Sequence, residues 1–249
     1  MEETTKEMTT QDIGNLRSKF QEKWVIVKYG GNIAGKQDTI YRIGLQCAFL
    51  QANIGAKVVI IHGGGEQTSQ ALMAQGISPT FDAKTGRRVT DLQTLRVFDA
   101  TLRELNEINV KIMRKTSDKI MFLGAAGYDH GGIISAESMG DFTGRVTSIH
   151  HEFFGQNAAA NNIPVIYTAC QNMSQLTNER RLNVNADEVA GAIGRSLKAA
   201  CLLMLTDTDG VWGEDKTVLP MISTDEVKAM VNNGIVKGGM IAKLNVAAQ

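Results

Sequence analysis

The chain has 249 residues, and its 26 Lys and Arg are matched by 26 Asp and Glu for a formal net charge of zero. That balance removes any general electrostatic case for binding nucleic acid or an anionic membrane, although a local pocket can still be basic. A hydrophobic share of 43% and a charged share of 21% exclude a disordered or membrane-spanning chain, and the length suits one α/β domain or two closely packed lobes. Cys47, Cys170 and Cys201 lie in apolar runs and fit reduced packing in the cytoplasm better than a disulfide framework or a metal site. Met1-Glu2-Glu3-Thr4 is acidic and polar, so no secretory signal is visible, and no window has the apolar length of a membrane helix.

Residues 9–21 carry Ile13, Leu16 and Phe20 along one face and predict a short amphipathic helix. Residues 24–27 read as a buried strand ending at Lys28, followed by a helix over 38–52. Lys57-Val58-Val59-Ile60-Ile61 is a second strand, which His62-Gly63-Gly64-Gly65 turns into a helix near 67–75. This alternation predicts a largely parallel sheet with helices on its faces. Residues 78–90 read as irregular or as a hairpin, and Thr90 or Asp91 caps a long helix towards Met113. Strands are expected at 120–123, 133–136, 145–150 and 164–167, with a turn at 128–132 and a helix end at 157–161. A helix over 186–197, a buried strand over 201–205 and a helix over 224–232 complete the series. The last stretch, 241–249, reads as a helix without a terminal Gly, Pro or cap, so the chain is expected to stop short of its architectural end.

Two lysines stand out chemically. Lys28 opens into Gly30-Gly31, and Lys243 follows Gly238-Gly239-Met240. Glycine loops that show backbone N–H groups to an anion, bracketed by point charges, are the minimum equipment for phosphoryl transfer, so the pattern points to a small-molecule kinase. Residues 30–37 nearly match a P-loop, but Gln37 stands where a Ser or Thr hydroxyl would meet magnesium. The reading kept is a Gly-Gly turn after an active Lys28, with Lys36 solvated; a strand-end lysine reaching solvent is the alternative. His62 reads as structural or as a local hydrogen-bond donor, and the three glycines after it let helix-end N–H groups approach an anion. Asp187 is either a helix N-terminal acid or an orienter of lysines. Arg88 is either a surface charge or a bidentate carboxylate anchor. His130, His150 and His151 lack zinc-site spacing, so no metal site is expected beyond magnesium carried with a nucleotide. Gly63-Gly64-Gly65 also lacks the Gly-x-Gly-x-x-Gly spacing of a dinucleotide fold.

Six blocks then fall in colinear order: 25–31, 59–65, Gly86-Arg87-Arg88-Val89-Thr90-Asp91, Asn183-Val184-Asn185-Ala186-Asp187, 205–211 and 238–243. On these blocks the chain resembles the amino acid kinase family, and within it the branch acting on N-acetylated glutamate. The resemblance implies ATP-dependent phosphorylation of the side-chain carboxylate of N-acetyl-L-glutamate in arginine biosynthesis, with Mg2+ carried by the nucleotide. It implies Lys28 and Lys243 on the transferring phosphoryl group, with Asp187 holding both. Gly63, Gly64, Arg88, Asn183 and Asn185 would bind the acceptor. Gly30, Gly31, Thr206, Asp207, Asp209, Gly210, Val211, Lys237, Gly238, Gly239 and Met240 would bind the nucleotide. The implied fold is a three-layer αβα sandwich with a mainly parallel sheet, in a cytoplasmic homodimer that contacts neither nucleic acid nor membrane. An acceptor-binding and dimerisation lobe would span about 24–180, and a nucleotide lobe, possibly incomplete, about 181–249. Asn106-Glu107-Ile108 and the long Gly124–Gly132 stretch depart from the family pattern and bear on acceptor choice. Another small acidic acceptor, or a non-catalytic homologue that binds a ligand or a partner kinase, is the alternative reading. Arginine feedback of the family's ring-forming type is not expected, because the C-terminal portion of that site has no counterpart in the sequence.

Overall fold

The computed structural model describes residues 8–83, 85–174, 178–213, 215–236 and 239–248. Helix α1 (Thr10–Phe20) starts at a capping box in which Thr9 and Asp12 each accept the other's backbone N–H. Strand β1 (Trp24–Tyr29) leads through the single turn α2 (Gly31–Ala34) into α3 (Gln37–Phe49). β2 (Lys57–His62) runs into α4 (Gly65–Ala74), and after an irregular segment comes the 22-residue α5 (Leu92–Met113), capped by Asp91. β3 (Met121–Gly127), β4 (Ile134–Ser138) and β5 (Thr143–Ile149) precede α6 (His151–Ala159) and the 11-residue β6 (Asn162–Asn172). β7 (Arg181–Val184), α7 (Ala186–Ser196), β8 (Cys201–Leu205), α8 (Thr224–Asn232) and α9 (Gly239–Ala247) follow.

β1 and β2 are apolar without alternation because helices cover both of their faces. On one face α3 and α5 bury Ile40, Leu95, Phe98 and Leu102 against Val27, Ile60 and Val165. On the other, α6 and α7 bury Phe154, Val189 and Ile193 against Ile26, Ile61 and Ile166. β8, β1, β2, β6 and β3 pair in parallel, so β1 and β2 deliver Lys28 and the His62–Gly65 turn to the same end of the sheet.

The expected three-layer αβα sandwich with a mainly parallel sheet is corrected at the far end of β6. There β4, β5, β7 and β6 close on one another as a four-stranded barrel. Its pairing is mixed: β4–β5 and β6–β7 are antiparallel, whereas β5–β7 and β4–β6 are parallel. The cause is the length of β6. Its first half pairs with β2 and β3, and from Ala169 onward it takes new partners in β7 and β4. Closure removes the exposed edges that these short strands would otherwise present. A smaller third core of Val227, Met230, Val236 and Leu244 lies under α8 and α9.

Candidate active site

Lys28 is the penultimate residue of β1 and only 5% exposed. Its Nζ lies 2.6 Å from Asp187 Oδ1, while Lys243 Nζ on α9 lies 3.7 Å from Asp187 Oδ2. A single buried carboxylate thus faces two ammonium groups, one on each oxygen. Removing Lys28 from water pushes its pKa down, and the Asp187 charge opposes that push. Two cations against one anion leave the cluster positive, which suits an incoming anion. Asp187 is placed by the start of α7, where Asn185 caps the helix and accepts the N–H groups of Asp187 at 2.8 Å and Glu188 at 3.3 Å.

Two cavities meet at Lys28. The first, of about 220 Å³, is lined by Lys28, Gly30, Gly31, Gly63, Gly64, Gly65, Arg88, Asn183, Asn185 and Asp187, with Phe81, Arg87, Phe98, Thr143 and Thr168 among its walls. The second, also about 220 Å³, is lined by Lys28, Gly30, Gly31, Gly65, Thr206, Asp207 and Lys243. Their shared wall is Lys28 with the two glycine turns. Those turns touch: a Cβ on Gly31 would sit 2.8 Å from Gln67 Oε1 and 3.1 Å from the Glu66 nitrogen, so only glycine allows the approach. Gln67 Nε2 donates to Gly31 O at 2.9 Å and fastens one turn to the other.

Arg88 marks the far wall of the first cavity. Its Nη2 donates to Gly65 O and Ser69 Oγ, each at 2.8 Å, and its guanidinium lies 4.7 Å from the centre of the Phe81 ring. Its Nη1 is buried without a hydrogen-bond partner. A buried donor in that state is most simply satisfied by an acceptor that enters the cavity. Asn183 Nδ2 donates to Thr90 Oγ1 at 3.0 Å, which sets its side chain beside Arg88.

The expected site residues divide three ways. Lys28, Asp187, Lys243, Arg88, Asn183, Asn185, Gly30, Gly31, Gly63, Gly64, Thr206 and Asp207 line one or both cavities. Asp209, Gly210, Val211 and Met240 line neither; Val211 and Met240 pack instead against the third core. Lys237 and Gly238 lie outside the described residues. The near P-loop forms α2 and the start of α3. Gln67, Thr143, Thr168 and Phe81 carried no sequence signal, because each reaches the site through tertiary pairing. Asn32, which donates to Asp207 at 2.7 Å across the second cavity, was equally silent.

Comparison with known proteins finds recognisable relatives. The model of the amino acid kinase family matches residues 23–249. An acetylglutamate kinase of Persephonella marina is 33% identical, over 93% of this chain and 82% of its own length. The structure of N-acetylglutamate synthase from Neisseria gonorrhoeae, complexed with coenzyme A and L-arginine, superposes with a TM-score of 0.82 at 16% identity, over 96% of this chain and 55% of that one. Carbamate kinase from Giardia lamblia bound to AMP-PNP superposes with a TM-score of 0.63 at 15% identity, over 91% and 87% of the two chains. With the family model covering nearly the whole sequence from β1 onward, the chain belongs to the amino acid kinase family.

Proposed function

We propose that this kinase transfers the γ-phosphoryl group of ATP to the side-chain carboxylate of N-acetyl-L-glutamate, giving N-acetyl-L-glutamyl 5-phosphate for arginine biosynthesis. The observation that carries the reading is the meeting of two cavities at Lys28, with Asp187 holding Lys28 on one side and Lys243 on the other. The acceptor occupies the cavity of Arg88 and Asn183; the triphosphate occupies the cavity of Thr206, Asp207 and Lys243. Arg88, with a free buried Nη1, suits a carboxylate and gives an uncharged acceptor no equivalent partner. Acetylglutamate kinases among the relatives support the same acceptor.

The reacting carboxylate is already an anion, so attack requires no general base. An oxygen of the carboxylate bonds to the γ-phosphorus as the bond to the β,γ-bridging oxygen breaks, and the electron pair leaves with ADP. The obstacle is repulsion between two anions. Lys28, Lys243 and the glycine N–H groups reduce it by placing positive charge where negative charge gathers in the transition state. Asp187 takes no proton; it keeps the ammonium groups apart and aimed. Magnesium would arrive with the nucleotide and offset negative charge on its phosphates.

Residues of about 24–180 form the acceptor and dimerisation lobe in this reading, and about 181–249 the nucleotide lobe, in a cytoplasmic homodimer. No helix among the described residues is long and apolar enough to cross a membrane. The test is ADP release from ATP and magnesium, with and without N-acetyl-L-glutamate, in the wild type and in Lys28→Ala. Acceptor-dependent release that is lost in Lys28→Ala supports the reading. Folded, ATP-binding protein with no release rejects this acceptor.

A further inference from the structure

Beneath the transfer site lies a row that the mechanism leaves unused. Tyr29, His62 and Tyr167 occupy matching register positions on β1, β2 and β6. The His62 ring stacks on Tyr29 at 5.6 Å and 11°, and lies 6.3 Å from the ring of Tyr167. Helix α5 supplies a polar partner to each. Asn109 Nδ2 donates to the Tyr29 hydroxyl at 3.2 Å, Asn106 faces His62, and Asp99 Oδ1 accepts from the Tyr167 hydroxyl at 3.2 Å. All six side chains are buried. Polar groups so placed demand satisfied partners, which fixes their orientation.

The hydrogen bonds of His62 determine its tautomer. Asn106 Nδ2 lies 2.9 Å from Val165 O, so the atom facing that carbonyl must be the amide nitrogen. The same nitrogen lies 2.9 Å from His62 Nε2, which therefore accepts, and the ring proton resides on Nδ1. Nδ1 lies 3.1 Å from Gly63 O and donates to it. The Gly63 N–H in turn donates to Tyr29 O at 3.1 Å. Gly63 is thus held at both of its backbone polar groups.

The carbonyl of Gly63 belongs to the same planar peptide unit as the N–H of Gly64, and in a trans peptide the two point in opposite directions. Holding the carbonyl down on His62 therefore aims the Gly64 N–H away from the buried ring. Among the described residues that N–H has no acceptor, and Gly64 lines the cavity between Lys28 and Arg88. A Cβ at Gly64 would fall 2.2 Å from Leu102 Cδ2, so α5 closes the opposite side of the residue as well.

We infer that His62 is a positioning residue: through its Nδ1–H it locks the Gly63–Gly64 peptide so that the Gly64 N–H is aimed, before substrate arrives, at the phosphoryl group in transfer. The inference rests on the proposed phosphoryl transfer for its purpose, but on geometry alone for the lock. The ring also stays neutral, since burial pushes its pKa down to about 4.

Three substitutions separate the lock from general packing. Asn at position 62 keeps an N–H near the Nδ1 position, Gln keeps a polar group only near Nε2, and Leu keeps neither. The full chain, labelled with 15N-glycine, gives the order parameter of the Gly64 amide, and steady-state kinetics give kcat and KM. His62→Leu and His62→Gln should loosen the Gly64 amide and lower kcat on the order of tenfold to a hundredfold, with KM for ATP changed far less. His62→Asn should keep the amide ordered and recover most of kcat. An ordered Gly64 amide in His62→Gln, or an amide in His62→Asn as loose as in His62→Gln, overturns the inference, and this pair decides the matter even if His62→Leu does not fold. Wild-type protein without turnover would reject the proposed reaction, while the amide measurement would still judge the lock.

Discussion

On the Arg88 side of Lys28, β1, β2 and β6 are buried along almost their whole length, and Ile60, Ile61, Leu102 and Val165 have no exposure at all. On the Lys243 side no residue of β8 is fully buried, Leu203 is 39% exposed, and the core under α8 and α9 has four buried residues among those described. β8 is joined to the first side by its pairing with β1 and by Cys201, Leu202 and Leu205 on the two large cores; beyond β8, the ties among the described residues include Lys243 to Asp187, Asp207 to Asn32, and Val246 of α9 against Gly191 of α7. The difference locates the preorganisation. Lys28, Asp187, Arg88 and the glycine turns are set by close packing before any ligand binds, whereas Lys243 is brought to Asp187 by a lightly anchored helix. Changes in the first group, or in Lys243 itself, should act on the chemical step or on acceptor binding, and changes in the packing and caps of α8 and α9 on local stability.

The sharpest way to break this contrast is Asp187→Asn. The amide keeps the volume but removes the charge between the two lysines, and kcat should fall by about 10²- to 10³-fold, the cost of losing one preorganised electrostatic element. Steady-state kinetics check it; a kcat within threefold of wild type would mean that the lysines are placed without the carboxylate. Next in size is an acid effect on folding. The folded pKa of His62, about 4, lies below its ordinary 6.5, so between those values the unfolded chain binds a proton that the fold refuses. Stability should therefore be unaffected by His62 above about pH 6.5 and decline as pH falls towards 4, by about 3 kcal/mol at most. The titratable groups facing the ring, Tyr29 and Tyr167, have pKa values raised by burial and do not titrate in this window. Urea unfolding of the wild type and His62→Asn across pH 4–7 measures the effect, and parallel curves for the two proteins contradict it.

Arg88→Ala removes a charged donor from the acceptor cavity. It should raise KM for N-acetyl-L-glutamate by roughly ten- to a hundredfold and leave KM for ATP nearly constant, as fits a charge-assisted hydrogen bond of about 1.5–3 kcal/mol. An equal rise for both substrates would erase the distinction between the cavities. The smallest expected effect lies on the Lys243 side. Ser223 caps α8 in an exposed capping box with Glu226, and Ser223→Ala should cost about 1 kcal/mol. Hydrogen exchange should show that loss in α8 while β1 and β2 keep their protection; equal loss in both would show that the two sides open together.

The legible parts of the sequence were those whose signal is local. Apolar runs announced β1 and β2, glycine runs announced the turns that line both cavities, and Asp91 before α5 announced a cap. The barrel was illegible because β6 changes partners in mid-strand, which leaves no period to read, and because β7 has only four residues. Lys28, Asp187 and Lys243 were each named from sequence, yet the 2.6 Å and 3.7 Å contacts that unite them exist only in the fold. Gln67 and Asn32 had no signal because their partners are 36 and 175 residues away.

The central claim is that two cavities joined at Lys28 serve transfer between a nucleotide and a carboxylate. The most direct measurement traps the product. With ATP, magnesium and N-acetyl-L-glutamate in the presence of hydroxylamine, an acyl phosphate is captured as a hydroxamate. The account predicts one hydroxamate for each ADP formed in the wild type, and neither product in Lys28→Ala. ADP without hydroxamate, or equal amounts of both from Lys28→Ala, would contradict it.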